Sequence, residues 1–376
     1  MPSPLFARPH RRWMALLFFS IVAVLVLQGC TGTGQFKAKG WSGLTASEQE
    51  LYFAAGDGRV AALDREDGKI MWTFPPQGGQ PVNAVYSKPV LSGDKVFVGD
   101  YAGNVLALNR STGASIWTRA VKLPDQEKAS AIVGGLAITD DTLLVASEDG
   151  HVYALDANDN AERWRFPKQG ALGKVWSTPS VSNGVVFFGS LDHTIFAVDL
   201  ATGDEKWRRA TEGAVSGQVL VHDGLAYVGS FDRTMYALDA ATGEVRWTAT
   251  GDNWFWAGPT TDGRSLYAGT VGGLLYAFDL KSGAVQWQTK TKAAIVTPIV
   301  PVGERLAVVT EDGRFRAFQA SNGQEQWVID LEERVRSQPV IAGNDGVVYV
   351  TDLKFRVRAL NALRGTIGWT ALLPES

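Results

Sequence analysis

Eight tryptophans set the limits on what this chain can fold into. They fall at Trp72, Trp117, Trp164, Trp207, Trp247, Trp287, Trp327 and Trp369, giving spacings of 45, 47, 43, 40, 40, 40 and 42 residues. An alanine lies ten residues before each: Ala62, Ala107, Ala154, Ala197, Ala237, Ala277, Ala317 and Ala359. Four residues before each tryptophan stands Gly68, Gly113, Gly203, Gly243, Gly283, Gly323 or Gly365, with Asn160 in the third repeat. Glycine and asparagine tolerate positive φ, so this position predicts a turn with a left-handed residue. Asp64, Asp156, Asp199, Asp239 and Asp279 open that turn, with Asn109, Gln319 and Asn361 as variants. A short carboxylate there can accept hydrogen bonds from backbone amides two residues on.

Upstream of the turn the residues alternate as strands do. Val185-Val186-Phe187-Phe188-Gly189 is followed by a polar tip at Asp192-His193 and then Thr194-Ile195-Phe196-Ala197-Val198. Before these, a short run such as Ser177-Thr178-Pro179-Ser180-Val181 ends at Asn183-Gly184, a strong hairpin signal. Each repeat is thus four strands joined by three turns. One such sheet cannot cover both its faces and must stack against neighbours. The prediction is all-β: an eight-bladed β-propeller with four-stranded antiparallel blades, its eight tryptophans structural, each on an outer strand between adjacent blades.

The amino terminus reads differently. Arg8, Arg11 and Arg12 precede an apolar run from Trp13 to Leu27, and Leu27-Gln28-Gly29-Cys30 closes the segment. The run would rise about 22 Å as a helix, short of a ~30 Å hydrocarbon core, which predicts a signal segment over 1–29. Arg11-Arg12 invites a twin-arginine reading, but Trp13-Met14 matches that pattern poorly. Residues 30–40 are expected to be a lipidated tether and 41–376 the propeller. Cys30 is the sole cysteine, so no disulfide or thiolate metal site can form within one chain. The net charge is −3, and the three arginines ahead of Cys30 leave the rest at −6, with no basic stripe of the kind nucleic acid requires.

Catalytic motifs are missing from the sequence. Asp156-Ala157-Asn158-Asp159-Asn160 imitates the start of a calcium loop, yet Ala161 stands where glycine is needed and Pro167 where a bidentate glutamate is needed. His151, His193 and His222 are expected as solvated turn residues, and no metal site is assigned. The approach to the innermost strand is more informative: Tyr86-Ser87, Trp176-Ser177, Val215-Ser216, Trp256-Ala257, Val296-Thr297 and Arg336-Ser337 align there. In a propeller this position lies near the mouth of the central channel. Tyr86, Trp176, Trp254, Trp256 and Arg336 are therefore the expected protein-binding residues, of the types that interface hot spots favour. The alternative is that they cap and plug the channel. The loops at 75–84 and 121–130 are the longest on that side. Arg316 and Arg358 replace the tyrosines of neighbouring repeats, either as a basic spot or, as we expect, paired with local acids.

The run Ala237-Leu238-Asp239-Ala240-Ala241-Thr242-Gly243-Glu244-Val245-Arg246-Trp247 resembles the repeat of the pyrroloquinoline-quinone enzymes, a likeness that covers nearly all of the expected mature chain. Leu-x-Gly-Cys resembles the lipobox of bacterial lipoproteins, which implies a diacylglycerol on the Cys30 sulfur. Two branches share the repeat. Quinoprotein dehydrogenases, typically much longer, hold the quinone over a tryptophan floor with calcium and often carry a disulfide between adjacent cysteines, which one cysteine cannot provide. The BamB branch comprises eight-bladed lipoproteins of similar length that scaffold barrel insertion. The resemblance implies a non-enzymatic scaffold without cofactor, anchored outside the cytoplasm and bound to a membrane protein complex such as the barrel-assembly machinery. It would sit on the outer membrane facing the periplasm, or on the outer face of a sole membrane. The alternatives are a protein binding the quinone with calcium, a small dehydrogenase, or an envelope ligand sensor.

Overall fold

The computed structural model describes residues 43–76, 79, 83–343 and 345–373. Cys30, the tether, Trp41 and part of the 75–84 loop lie outside the described residues. The strands form eight separate four-stranded antiparallel sheets, each built from four consecutive strands, and no described residue is helical. This is the eight-bladed propeller read from the repeat. Strands are lettered a to d from the axis outwards; blade 5, for example, comprises Leu220–His222, Leu225–Gly229, Thr234–Asp239 and Val245–Thr250. The a strands of neighbouring blades touch around the axis, and the b and c strands are buried almost throughout.

The alanine ten residues before each tryptophan has a direct role. In every blade it is the cross-strand partner of that tryptophan: Ala62 faces Trp72 and Ala237 faces Trp247, through to Ala359 and Trp369. A bulge follows at the next residue, so two residues of strand d oppose one of strand c. The small side chain leaves the indole free to turn towards the next blade. There the ring lies on the turn glycine. A methyl on Gly283 would sit 2.4 Å from Trp247 Cε3, and its φ of 71° already favours glycine. Equivalent contacts pair Trp72 with Gly113, Trp164 with Gly203 and Trp369 with Gly68. Six of the eight indoles donate Nε1–H to a carbonyl at the start of the neighbour's turn, as Trp247 does to Leu280 at 3.0 Å. Aspartate tightens that turn as expected: Asp239 Oδ1 accepts from the amides of Ala241 and Thr242 at 3.0 and 2.9 Å.

Ring closure uses the same device. Blade 8 borrows no strand from blade 1; Trp369 Nε1 donates to Arg65 O at 3.2 Å, and Arg65 Nη1 donates to Ala342 O at 2.8 Å. Leu44, Leu51 and Phe53 of blade 1 join Tyr349 and Val357 of blade 8 in one apolar cluster.

Candidate functional site

On the approach to strand a of blades 2 to 8, one apolar side chain is driven wholly out of water. Val85, Ile132, Val175, Val215, Phe255, Ile295 and Val335 are all fully buried. Ile132, Val215, Phe255 and Ile295 press on a glycine at or next to the end of strand b of the preceding blade; a methyl at Gly189 would meet Val215 Cγ1 at 2.1 Å. Their backbone N–H groups, and that of Val175, donate to the b–c hairpin of the same blade at 3.0 to 3.3 Å. The approach is thus pinned by burial and hydrogen bonding together.

The residue after each anchor stands at the channel mouth. These are Tyr86, Val133, Trp176, Ser216, Trp256, Val296 and Arg336, each half-buried. One of the alignments is corrected. Matching Ser216 to Ser177 puts Val215 at the mouth, but Val215 is the buried anchor and Ser216 takes the mouth position, its Oγ donating to Trp256 O at 2.8 Å. What repeats is the buried apolar residue, not the serine.

Three of the five expected binding residues gather into one aromatic group. Trp176 and Trp256 have ring centroids 6.4 Å apart, and Phe231 stacks on both Trp254 and Trp256, at 5.0 and 5.2 Å. Beside this group a cavity of about 380 Å³ is lined by Trp254, Trp256, Val271, Ala294, Val296, Glu311 and Arg336. Arg336 pairs with Glu311 across its rim. Trp254 is 46% exposed, so its ring offers apolar surface to water. Tyr86 lies apart from that group, packed on Tyr101 at 5.1 Å, and lines an axial cavity together with Arg336. Burial is the main cause that raises the Tyr86 phenol above its ordinary pKa, so it is neutral at neutral pH.

Four site residues went unnoticed in the sequence: Tyr101, Glu148, Phe231 and Glu311. All occupy the second position of the b–c hairpin tip, where side chains overhang the neighbouring approach. Glu148 accepts from Trp176 Nε1 at 2.7 Å and pairs with Lys174 at 2.9 Å, fixing the Trp176 ring. Their signal is positional: Tyr101, Glu148 and Phe231 lie two residues past the end of strand b, and Glu311 one residue past it.

The remaining polar candidates resolve locally. His151 is not solvated: it is 1% exposed, because the next blade's approach covers its hairpin and Leu172 N donates to Gly150 O at 3.1 Å. His193 is exposed and His222 half-buried. Arg316 and Arg358 are buried and paired with acids, Arg316 Nη1 to Glu325 at 2.6 Å and Arg358 Nη1 to Asp352 at 2.8 Å. Asp156 spends one oxygen on the amides of Asn158 and Asp159 and the other on Arg163 at 2.5 Å, as a turn residue does. Among the described residues no three His, Cys, Asp or Glu side chains come together as a metal site.

The family described as "Outer membrane protein assembly factor BamB" matches the chain over residues 30–134, 126–214, 192–302 and 290–376. The chain is similar to the outer membrane protein assembly factor BamB of Shewanella oneidensis, 29% identical over 123 residues, which is 33% of this chain and 29% of that protein. It is also similar to the quinoprotein ethanol dehydrogenase of Pseudomonas aeruginosa, 29% identical over 157 residues, 37% of this chain and 25% of the enzyme. The aligned part therefore spans under a third of either relative. In three dimensions, BamB from Moraxella catarrhalis superimposes with a TM-score of 0.69 over 82% of this chain and 90% of that one; at 21% identity this shows a shared fold.

Proposed function

Since the chain belongs to the family of the outer membrane protein assembly factor BamB, we propose that it is a non-enzymatic, membrane-anchored scaffold whose channel-mouth face grips a partner protein during assembly of outer-membrane β-barrels. The observation that carries this reading is the cavity walled by Trp254, Trp256 and Val296 and rimmed by Glu311 and Arg336. Its volume of about 380 Å³ falls at the lower end of the roughly 300–1,000 Å³ of small-ligand pockets. It also suits one or two apolar side chains of a protein segment, with a charged pair beside them for orientation. Large aromatics and arginine at the centre of a rigid face are what hot spots are made of. Seven anchored approaches among the described residues hold that face without help from the partner.

The anchor belongs to the same proposal. A lipid on Cys30 would hold the propeller at the inner surface of the outer membrane, or at the outer surface of the membrane where there is only one. Replacing Cys30 with Ser should release the protein from membranes or leave it unprocessed, as read by fractionation and intact mass.

A photo-crosslinking residue at position 254, in the full-length protein in its native envelope, should capture a component of the barrel-assembly machinery. Trp256→Ala should reduce that capture while the fold is kept. Capture that is equally strong from a control position on the opposite face would refute the site. The dehydrogenase likeness supports a rival, so the purified protein should also be titrated with pyrroloquinoline quinone and calcium; saturable, calcium-dependent quinone absorbance would favour the enzyme branch.

A further inference from the structure

Deep in the axial channel one ring position breaks the pattern of its neighbours. The residue two after each mouth residue is in most repeats neutral: Gly135, Thr178, Gln218, Gly258, Pro298 and Gln338 all belong to this inner circle, and among the described residues Lys88 is its one cation. Among the described residues the Lys88 ammonium has no hydrogen bond and no carboxylate partner. Its stem packs on Gly43, where a methyl would lie 2.5 Å from Lys88 Cβ. Lys88 is half-buried, and desolvation lowers its pKa below that of an ordinary lysine, as expected of a cation partly withdrawn from water with no counter-charge beside it.

The preceding residue is unusual as well. Ser177, Thr297 and Ser337 give their hydroxyls to Gly217 O, Val309 O and Thr351 O. Ser87 occupies the same place in its repeat, is 5% exposed, and its Oγ has no partner. Both residues line an axial cavity of about 130 Å³ with Tyr86, Thr178, Arg336 and Gln338. Lys88 and Arg336 are its cations, and since Arg336 is paired with Glu311, Lys88 is the one without a counter-charge among the described residues. Gly135 keeps it open, since a methyl there would lie 3.0 Å from Thr178 Oγ1 and 3.5 Å from Ser87 Cβ.

We propose that this cavity is a binding site for a small carboxylate, with Lys88 as its counter-charge and the Ser87 hydroxyl as a second donor. The volume lies well below the roughly 300 Å³ at which pockets for larger organic ligands begin, so a fused-ring cofactor is excluded and a carboxylate of a few heavy atoms is admitted. An ammonium and a hydroxyl left without partners inside a folded protein cost stability; one carboxylate, with two acceptor oxygens, satisfies both. The carboxylate comes either from a free anion or from one acidic side chain reaching down the channel. The site is distinct from the cavity beside Trp256, because Ser87 and Lys88 do not line that one, although Tyr86 and Arg336 at the mouth border this one.

The test uses trifluoroacetate as the probe, followed by fluorine NMR line broadening on the folded protein, with sodium chloride holding ionic strength constant. Broadening should be saturable and reversed by acetate. Lys88→Met should weaken binding by about tenfold or more, the scale of one charge-assisted hydrogen bond, and Ser87→Ala by a few-fold. Both variants should fold, since each removes an unpartnered polar group, and circular dichroism checks this. A capped Gly-Glu-Gly peptide supplies the second source: competition by the peptide at lower concentration than acetate assigns the site to a protein segment, and the reverse assigns it to a free anion. Broadening that is the same in wild type, Lys88→Met and Ser87→Ala, or no broadening in wild type, would overturn the proposal. Loss of broadening in Trp256→Ala with Lys88 intact would place the probe at the rim and overturn it too.

Discussion

Two blade junctions built from the same repeat differ in how well they are made. Between blades 5 and 6, Trp247 is buried, donates to Leu280 O at 3.0 Å and lies flat on Gly283. Between blades 2 and 3, Trp117 is half-buried, its Nε1 has no partner, and Asn160 with φ 60° takes the glycine's place. Arg119 donates to the Asn160 carbonyl, as Arg209 does to Gly243 O in a junction where Trp207 keeps its acceptor. The repeated tryptophan is therefore not a unit of fixed worth. Its contribution depends on whether the facing turn lets the ring come down and offers it an acceptor. Trp327 makes the point from the other side: it has its glycine, Gly365, but its indole also lacks a partner, because Arg305 reaches the carbonyls of Ala362 and Leu363.

This contrast can be broken by experiment. Trp247→Ala should cost about 3–5 kcal/mol of unfolding free energy, as large cavities in a packed interior do. An equal loss for Trp117→Ala would end the distinction; we expect the Trp117 variant to lose less than half as much, both measured by chemical denaturation. Gly283→Ala should follow, at about 1–3 kcal/mol, since it sets a methyl against the Trp247 ring at a positive φ. Asn160→Gly should change stability by less than about 1 kcal/mol, gaining from the easier left-handed backbone and losing through chain entropy, but it should lower the solvent accessibility of Trp117 to a fluorescence quencher. Trp256→Ala, on the rim, should leave unfolding almost unmoved while weakening partner binding by about 1–3 kcal/mol. A pH titration gives the smallest effect. The Arg246 guanidinium, with the Thr242 amide, holds the Asp239 carboxyl down to about 2. A depressed folded pKa means that the turn's support is complete above the carboxylate's unfolded value, near 3.8, and is lost as pH falls towards 2. The blade 4–5 junction, which that turn serves, should loosen in that window by amide exchange. The turn opened by Gln319 has no such carboxylate and should not follow it.

The fold was legible because its determinants recur at fixed offsets. Tryptophan, the alanine opposite it and the glycine below the neighbouring ring each answer a steric demand that every blade repeats. The site was legible in part. Trp176, Trp256 and Arg336 stood out as large side chains ahead of a small residue at the entry to the innermost strand, whereas Phe231 and Glu148 come from a different hairpin and reach the mouth by overhanging it. Val215 was misplaced because a serine looked like the landmark when burial was the constant. His151 was misread because a hairpin tip is solvated only if nothing lies over it, and what lies over this one belongs to the next blade.

The way the ring closes also bears on how it forms. Each sheet is complete within one stretch of about forty residues, so nearly every pairing joins near neighbours in the chain. The exceptions in the described residues are at the seam, where Trp369 reaches Arg65 across 304 residues and Arg65 reaches Ala342 across 277. Seven junctions can therefore form in order as the polypeptide emerges, with short loops and a modest entropic cost for each. The eighth must wait for the last blade. Until then the first and last sheets each show an unsatisfied flank, and the slowest step in acquiring the native state should be the meeting of the two ends.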